Sequence, residues 1–425
     1  MGAYRALLLF TARDWANHPI GPNGARLAPV GPDLDLNKLA TRLSQQSSAS
    51  VISGIHVLSF QPGRLANEDR CHVEDWLLPN GTWKMLAIFD GHGAGTEAVE
   101  FVLATLPATI KTAISRLPME EDISDSTLGE ILRTCVRDVD MRIQEDFVSL
   151  FPADIGTLSD DDIREAIRDP ESAEGNSRVE VLRARTGTTA LVALIKPDQS
   201  IHVANLGDCD AVVGVEGQSG WTSILSVHHN CTNEHEVARI RAEHPGEPEC
   251  VNTTTERTLG LIGVTRGKSE TMGDMFFKLP ATYAERAAPL SLPPMHPNYD
   301  LKGLAARNIT PPYLSNEADV VHFRLPHRDP TALPWPAQPA AVLILASDGL
   351  FNLFSRTKKV RQVSEAASMW CHAAASGSGE PGRNMALNIL WDALQHSNGH
   401  NLYVDMISGE YGRRVDDTTI VVCPL

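Results

Sequence analysis

The chain has 425 residues, of which 42% are hydrophobic and 21% charged, and its formal net charge at pH 7 is −16. This composition is typical of a globular protein with one large domain or two ordinary ones. The negative charge argues against a nucleic-acid-binding protein, which needs a basic surface to release phosphate counterions, but bound divalent cations would still permit phosphate chemistry.

The seven cysteines are scattered and form no C-x-x-C pair, which favours a reduced intracellular protein without a cysteine metal site. No apolar run reaches the ~18 residues that a membrane-spanning helix needs, so we expect no membrane span. The first thirteen residues include Arg5 and Arg13 and no acidic residue, a pattern compatible with a mitochondrial presequence. An ordinary N-terminal extension is the alternative.

In chain order, residues 1–50 are weakly patterned and predict an N-terminal extension with one short helix near 34–43. From residue 51 onward, short β-branched runs end in acidic or glycine-containing turns, which is typical of strands. These runs are WKMLAIFDGHG, TTALVALIKPD, SIHVANLGDCDAVVGV, AAVLILASDGL and DDTTIVV. Apolar residues at helical spacing predict helices over 96–117, 127–147 and 233–244. The alternation predicts an α+β layered domain.

Three further segments lack this pattern. Residues 154–185 are acidic and polar, which predicts a surface insertion. The proline-rich segments 289–297 and 326–339 predict loops.

Acidic residues stand at the ends of five strand-like runs. They are Glu68-Asp69, Asp90, Asp208, Asp348 and Asp416-Asp417. A single Asp-Gly pair is usually a turn, but a buried carboxylate is costly unless it is paired or bound to a metal. Five such ends therefore indicate a shared site of oxygen ligands, which Mg²⁺ and Mn²⁺ prefer. His92, beside Asp90, is placed to act as an acid or base, although a lone histidine is more often structural.

The ordered motifs resemble the metal-dependent protein phosphatase family (PPM, type 2C). They are RLANED (64–69), FDGHGAG (89–95), TGTTA (186–190), ANLGDCDAVV (204–213), LASDGLF (345–351) and DDTTIVV (416–422), in the family's order. The resemblance spans roughly residues 51–425 and implies a phosphatase domain over that range. The implied fold is a four-layer α-β-β-α sandwich of two antiparallel sheets flanked by helices, with a binuclear metal site at one end.

The resemblance also implies which residues bind two Mg²⁺ or Mn²⁺ ions. Asp90 would bridge both ions, and Gly91 would offer its carbonyl to one of them. The complete implied set is Glu68, Asp69, Asp90, Gly91, Asp208, Asp348 and Asp416, in which Glu68 and Asp69 bind metal-coordinated waters. Many family members carry an aspartate four residues after Asp348, where it helps a third, weaker ion to bind beside Asp208. Here that residue is the neutral Asn352, which disfavours the third ion.

Two residues match the family's phosphate-binding arginine and its proposed general acid. Arg64 corresponds to the arginine that binds the substrate phosphate, and His92 to the proposed general acid for the leaving seryl or threonyl oxygen. The implied reaction is hydrolysis of phosphoserine and phosphothreonine by direct attack of a hydroxide held by two metal ions. Alternatives are an inactive pseudophosphatase that binds phosphoproteins, a general cytosolic phosphatase and a small-molecule phosphatase; the retained acidic ligands disfavour the pseudophosphatase.

A narrower resemblance is to the pyruvate dehydrogenase phosphatase branch. The segments that carry it are HHNCTNEHEVARIRAEHP (228–245), RTLGL (257–261), GDMFFK (273–278) and ARNITPPYLSNEADVVHFRL (306–325). It implies phosphorylated pyruvate dehydrogenase as substrate, the pyruvate dehydrogenase complex as partner and a mitochondrial location. Arg64, which that branch tends to lack, supports the cytoplasmic alternative.

The flap region near 228–325 departs from the family pattern at two points. His228-His229 stands where Asp-His is usual. The Met-Gly-Asp at 272–274 replaces Phe-Gly-Asp and follows extra residues. Both departures predict a reshaped flap.

Overall fold

The computed structural model of the chain describes residues 47–61, 67–93, 95–118, 123–217, 220–227, 229–231, 233–254, 257–259, 270–295, 300–325, 341–376, 384–395 and 416–425. These residues form two compact units. The first comprises the described parts of Met1–Glu74, Asp210–Ser226 and Leu325–Leu425, and the second those of Asp75–Cys209 and Val227–Arg324. The predicted helix at 34–43, Arg64 and the proline-rich segment 326–339 lie outside the described residues.

The described residues contain sixteen strands. They are β1 (Ser47–Ile52), β2 (Ile55–Phe60), β3 (Arg70–Leu78), β4 (Gly81–Phe89), β5 (Gly91–His92), β6 (Gly187–Thr188), β7 (Ala190–Ile195), β8 (Ser200–Leu206), β9 (Asp210–Gly217), β10 (Gly220–Leu225), β11 (Val251–Asn252), β12 (Arg257–Thr258), β13 (Met272–Gly273), β14 (Asp319–Arg324), β15 (Ala341–Ala346) and β16 (Thr418–Pro424).

Eleven α-helices lie within the same described ranges. They are α1 (Glu97–Ser115), α2 (Asp125–Val148), α3 (Asp160–Ile167), α4 (Val179–Arg185), α5 (Glu234–Glu243), α6 (Met275–Lys278), α7 (Ala281–Arg286), α8 (Leu301–Arg307), α9 (Asp348–Lys358), α10 (Val363–Ala375) and α11 (Met385–Gln395). The helices predicted at 96–117, 127–147 and 233–244 are thus confirmed as α1, α2 and α5.

The first unit is built on a six-stranded antiparallel sheet in the order β1-β2-β16-β15-β9-β10. Alternate residues of β15, such as Val342 and Ile344, join a core with Leu350 and Phe354 of α9 and Trp370 of α10. The period of two places these strand side chains on one face of the sheet, against the helices. Because β15 and β16 pair antiparallel, the C-terminal end of β15 lies beside the N-terminal end of β16.

The second unit is built on a five-stranded antiparallel sheet in the order β14-β8-β7-β4-β3. A three-stranded sheet, β13-β6-β5, and the pair β11-β12 belong to the same unit. Its core includes Trp83 and Phe89 of β4 and Leu132 and Phe147 of α2. Both large sheets are antiparallel and carry helices, so the predicted α+β class is confirmed.

Helix α1 is, among the described helices, long and apolar enough to cross a membrane by length and composition alone. Its residues Val99, Val102, Leu106 and Ile110 are fully buried in the core of the second unit. This is the arrangement of a core helix with apolar residues at helical spacing.

The segment predicted as a polar insertion, 154–185, contains a 3-10 helix (Ile155–Thr157) as well as α3 and α4. Ile155, Ile163 and Val181 are fully buried in the core of the second unit. The segment therefore presents polar residues outward and also contributes to the core. At the N-terminal boundary, β1 begins at Ser47 and pairs with β2, so sheet structure starts before residue 51.

Candidate functional site

Asp90 follows the last residue of β4 and is held through its backbone. Its N–H donates to Thr189 Oγ1 at 3.0 Å, and its carbonyl oxygen accepts from the Thr189 N–H at 3.0 Å. The residue is 8% exposed. Because both backbone groups are paired with the neighbouring chain segment, the direction of the carboxylate is determined by the sheet.

His92 lies in β5, beside Gly91, and its ring contacts Asp274. The Nε2 atom is 2.6 Å from Asp274 Oδ2, and both side chains are almost completely buried. Gly187 on β6 pairs directly with His92. A β-carbon at Gly187 would collide with Asp274 Oδ2 and His92 Nε2, so only glycine permits this contact.

Asp208 follows β8 in a turn that Asn205 stabilises. The Asn205 Nδ2 donates to the carbonyl oxygens of Gly207 at 3.3 Å, Cys209 at 3.1 Å and Val227 at 2.6 Å. One buried amide thus fixes the turn that carries the Asp208 carboxylate.

The side chains of Asp90 and Asp208 lie close together. Each offers a carboxylate oxygen within 4.8 Å of the other, and the residues are 8% and 3% exposed. Two negative carboxylates at this separation repel each other, and a bound cation would offset the repulsion. Carboxylate oxygens are the ligands that Mg²⁺ and Mn²⁺ prefer, so this pair fits a hard divalent cation.

In the first unit, Asp348 begins helix α9, where the helix dipole favours a negative charge. Asn352 Nδ2 donates to Asp348 Oδ2 at 3.2 Å. The preceding residue, Ser347, donates from Oγ to Asp69 Oδ2 at 2.7 Å and accepts from the Thr419 N–H at 2.8 Å. Ser347 therefore connects the Asp69 carboxylate to the adjoining ends of β15 and β16.

Asp417 organises the acidic segment before β16. Its Oδ2 accepts from the Glu68 N–H at 2.5 Å, and its Oδ1 accepts from Gln61 Nε2. Asp416 is exposed, and its Oδ1 accepts from the Asp417 N–H at 3.1 Å. A β-carbon at Gly349 would collide with the Asp417 carbonyl oxygen, which explains the glycine after Asp348.

Eight of the nine predicted site residues are described, and they fall into two groups. The second unit holds Asp90, Gly91, His92 and Asp208, and the first unit holds Glu68, Asp69, Asp348 and Asp416. Arg64 lies outside the described residues.

Sequence reasoning did not assign three residues that hold these groups in place, Thr189, Asp274 and Ser347, and it named Asp417 only as an acidic neighbour of Asp416. Each lies inside a matched motif, and that position was the signal that could have found it.

Comparison with known proteins identifies the family. The family model described as Protein phosphatase 2C matches residues 53–378. The chain belongs to the protein phosphatase 2C family.

Several relatives are pyruvate dehydrogenase phosphatases. The chain is 29% identical over 375 residues to pyruvate dehydrogenase (acetyl-transferring) phosphatase 1, mitochondrial, of Bos taurus, which covers 79% of this chain and 65% of that protein. It is 27% identical over 409 residues to phosphatase 2, mitochondrial, of Homo sapiens, which covers 82% of this chain and 72% of that protein. The chain thus spans slightly less than two thirds of the length of the bovine relative.

Among solved structures, the serine-threonine phosphatase 2C of Toxoplasma gondii aligns over 89% of this chain and 98% of its own. Its TM-score is 0.47 at 16% sequence identity.

This family member also carries a second buried cluster of ionisable groups, in its flap region. His229 Nδ1 is 3.2 Å from Glu270 Oε2, and His229 Nε2 is 3.0 Å from Asp319 Oδ2. Arg239 contacts Glu236 at 2.8 Å and Glu270 at 3.6 Å. Burial raises the pKa of Glu270 to about 8, although the charges of His229 and Arg239 oppose the increase. Burial lowers the pKa of His229, but the hydrogen bond to Asp319 and the charge of Glu270 outweigh it, so the pKa rises.

The raised pKa of Glu270 predicts a pH-dependent stability. From about pH 4.5 to 8 the folded state keeps a proton that the unfolded state releases, so the stability from this group falls as pH rises. We expect Glu270→Gln to raise the Tm by a few degrees at about pH 8.5 and hardly at all at about pH 5. Thermal unfolding at both pH values measures this. A lower Tm of Glu270→Gln than of the wild type at both pH values would mean that Glu270 is ionised and paired with Arg239.

Segments 228–245 and 306–325, which both carry the resemblance to the pyruvate dehydrogenase phosphatase branch, contact each other. His244, after α5, stacks on Tyr313 of the TPPYL element with ring centroids 4.1 Å apart. His244 Nδ1 is 2.8 Å from Thr310 Oγ1, and the Tyr313 hydroxyl donates to Glu247. These contacts hold the TPPYL element against the C-terminal end of α5.

Proposed function

We propose that the chain is a metal-dependent protein serine/threonine phosphatase. The observation that supports it most directly is the approach of the buried Asp90 and Asp208 carboxylates within 4.8 Å of each other. Such a pair can bind a divalent cation, and the same unit contains His92, which would act as the proton donor.

We infer that two Mg²⁺ or Mn²⁺ ions bind to residues of this acidic set: Glu68, Asp69, Asp90, Gly91, Asp208, Asp348 and Asp416. When bound, the ions would acidify water and neutralise charge on the phosphoryl oxygens. A third ion is not part of the proposal, because the Asn352 amide donates to Asp348 and brings no negative charge.

Two residues of the chain would act on the substrate directly. Arg64 would bind phosphoryl oxygens, because a guanidinium pairs with two oxygens at once. His92 would deliver a proton to the seryl or threonyl oxygen as the ester bond breaks, since an alkoxide is a poor leaving group. Burial of Asp90 and His92 excludes bulk water from their contacts, which strengthens these interactions.

We further propose that the substrate is phosphorylated pyruvate dehydrogenase, with the pyruvate dehydrogenase complex as partner and a mitochondrial location. The support is the identity of 27–29% to mitochondrial pyruvate dehydrogenase phosphatases. A general cytoplasmic phosphatase remains the competing assignment, because Arg64 is retained.

Phosphate release from a phosphothreonine peptide, measured against Mn²⁺ concentration, tests the activity. We expect saturable, chelator-sensitive release; no release at any Mn²⁺ concentration would favour a pseudophosphatase. Release from phosphorylated pyruvate dehydrogenase, compared with phosphorylated casein, tests the substrate. Equal rates on both, together with a cytoplasmic location of the tagged full-length chain, would contradict the mitochondrial assignment.

A further inference from the structure

We propose that Asp274 is a positioning residue for His92: it binds the Nε2–H, so that Nδ1 is the nitrogen presented to the leaving oxygen of the substrate. This inference rests on the proposed function and adds a residue to it. Asp274 would touch neither substrate nor metal and would act only through His92.

The contact between the two side chains supports this role. His92 Nε2 and Asp274 Oδ2 are 2.6 Å apart, and each residue is 5% exposed. Burial alone would raise the pKa of Asp274, but the charge of His92 and its hydrogen bond, with help from Lys278 and Thr271, lower it. An ionised carboxylate can only accept, so Nε2 carries the hydrogen. His92 Nδ1 is buried and makes no hydrogen bond within the described part of the chain. It is the nitrogen left for another partner.

The backbone at Asp274 is specialised for this contact. Asp274 precedes the short helix α6, a position where an aspartate usually caps the helix, yet its side chain makes no capping hydrogen bond. Its φ of 52° and ψ of 41° are left-handed and follow Gly273 with φ 80°. Non-glycine residues occupy this region only occasionally, aspartate among them. Asp274 thus adopts an uncommon backbone conformation, its side chain does not cap the helix, and its carboxylate contacts His92.

Several hydrogen bonds hold this conformation. The Asp274 N–H donates to the Thr186 carbonyl oxygen at 2.9 Å, and Thr271 Oγ1 donates to Asp274 Oδ2 at 3.0 Å. Asp140 on α2 accepts the Gly273 N–H at 2.8 Å and pairs with Lys278 Nζ at 2.7 Å. The segment is therefore fixed on both sides of Asp274, as expected for a group that must orient a ring.

The test compares two substrates that differ in their need for a proton. A phosphothreonine peptide requires protonation of its leaving oxygen, whereas an aryl phosphate such as p-nitrophenyl phosphate releases a stable phenolate without it. Asp274→Asn keeps the size of the side chain and removes its charge. We expect it to lower kcat for the peptide roughly 10- to 100-fold and kcat for the aryl phosphate by less than about 3-fold.

Two further variants probe the same contact. Gly187→Ala, whose β-carbon would separate His92 from Asp274, should reproduce the substrate-dependent loss. In a His92→Asn background, Asp274→Asn should have no further effect on the ratio of the two kcat values, because Asp274 acts through His92.

Asp125→Asn is the matched control. Asp125 pairs with the buried His202 at 2.9 Å in the same unit, and it is not one of the proposed site residues. This variant should leave the ratio of the two kcat values unchanged.

A spectroscopic readout does not depend on activity. In the metal-free protein, the ¹⁵N shifts of His92, assigned by their absence in His92→Asn, should show hydrogen on Nε2, and Asp274→Asn should weaken that preference. Equal losses on both substrates, or unchanged ¹⁵N shifts, would overturn the positioning role while the phosphatase function stands. A wild-type chain inactive on both substrates would instead reject the proposed function itself.

Discussion

Asp90→Asn is expected to lower the Mn²⁺-dependent rate of phosphate release by at least about 10³-fold, or ~4 kcal/mol of activation free energy. Asparagine has nearly the same shape, and the two backbone hydrogen bonds with Thr189 do not involve the side chain. The fold should therefore survive while the negative charge beside Asp208 is lost. Fewer Mn²⁺ ions bound, or a weaker affinity by calorimetry, should accompany the loss of rate.

The matched control for Asp90→Asn is Asp75→Asn. Asp75 is a half-exposed aspartate that pairs with Lys84 at 3.0 Å, so its removal should change the rate by less than about 3-fold. If Asp90→Asn kept both the wild-type rate and the wild-type Mn²⁺ stoichiometry, the assignment of Asp90 as a metal ligand would be wrong. Loss of rate with unchanged Mn²⁺ binding would assign Asp90 to a different catalytic role.

The elements that carry Asp90, Asp348 and Asp416 could be predicted because their signals are local. Strands β4, β15 and β16 are short apolar runs that end in turn-forming residues, and helix α1 shows apolar residues at helical spacing. The family motifs then assigned these strand ends to one predicted metal site. No long-range contact was needed for either step.

The supporting residues depend on contacts that sequence spacing does not reveal. Asp274 contacts His92 across 182 positions, and the backbone of Asp274 is left-handed, which sequence spacing does not predict. In the sequence it was part of an altered Met-Gly-Asp motif, which predicted a reshaped flap rather than a partner for His92. The polar composition of 154–185 likewise obscured Ile163 and Val181, which lie on the buried sides of two short helices.

The largest effect on stability is expected from Lys278→Met. Lys278 Nζ lies 2.7 Å from Asp140 Oδ2 and 2.6 Å from the Thr271 carbonyl oxygen, and the two side chains are 4% and 2% exposed. Methionine keeps the length of the side chain but leaves the Asp140 carboxylate without its ammonium partner. Removing one member of a buried ion pair costs about 3–5 kcal/mol, because the remaining charge stays desolvated. Urea unfolding should show this as a lower midpoint.

A second substitution separates the charge from the packing of Lys278. Asp140→Asn in the Lys278→Met background removes the stranded charge, while its side-chain oxygen can still accept the Gly273 N–H, so we expect more than half of the lost stability to return. Lys84→Met, which breaks a half-exposed pair with Asp75, should cost less than about 1 kcal/mol. If Lys278→Met cost no more than Lys84→Met, the ammonium of Lys278 would not be desolvated in the folded protein. The Asp140 carboxylate would then be stabilised by its hydrogen bonds from the Gly273 N–H and Asn316 Nδ2.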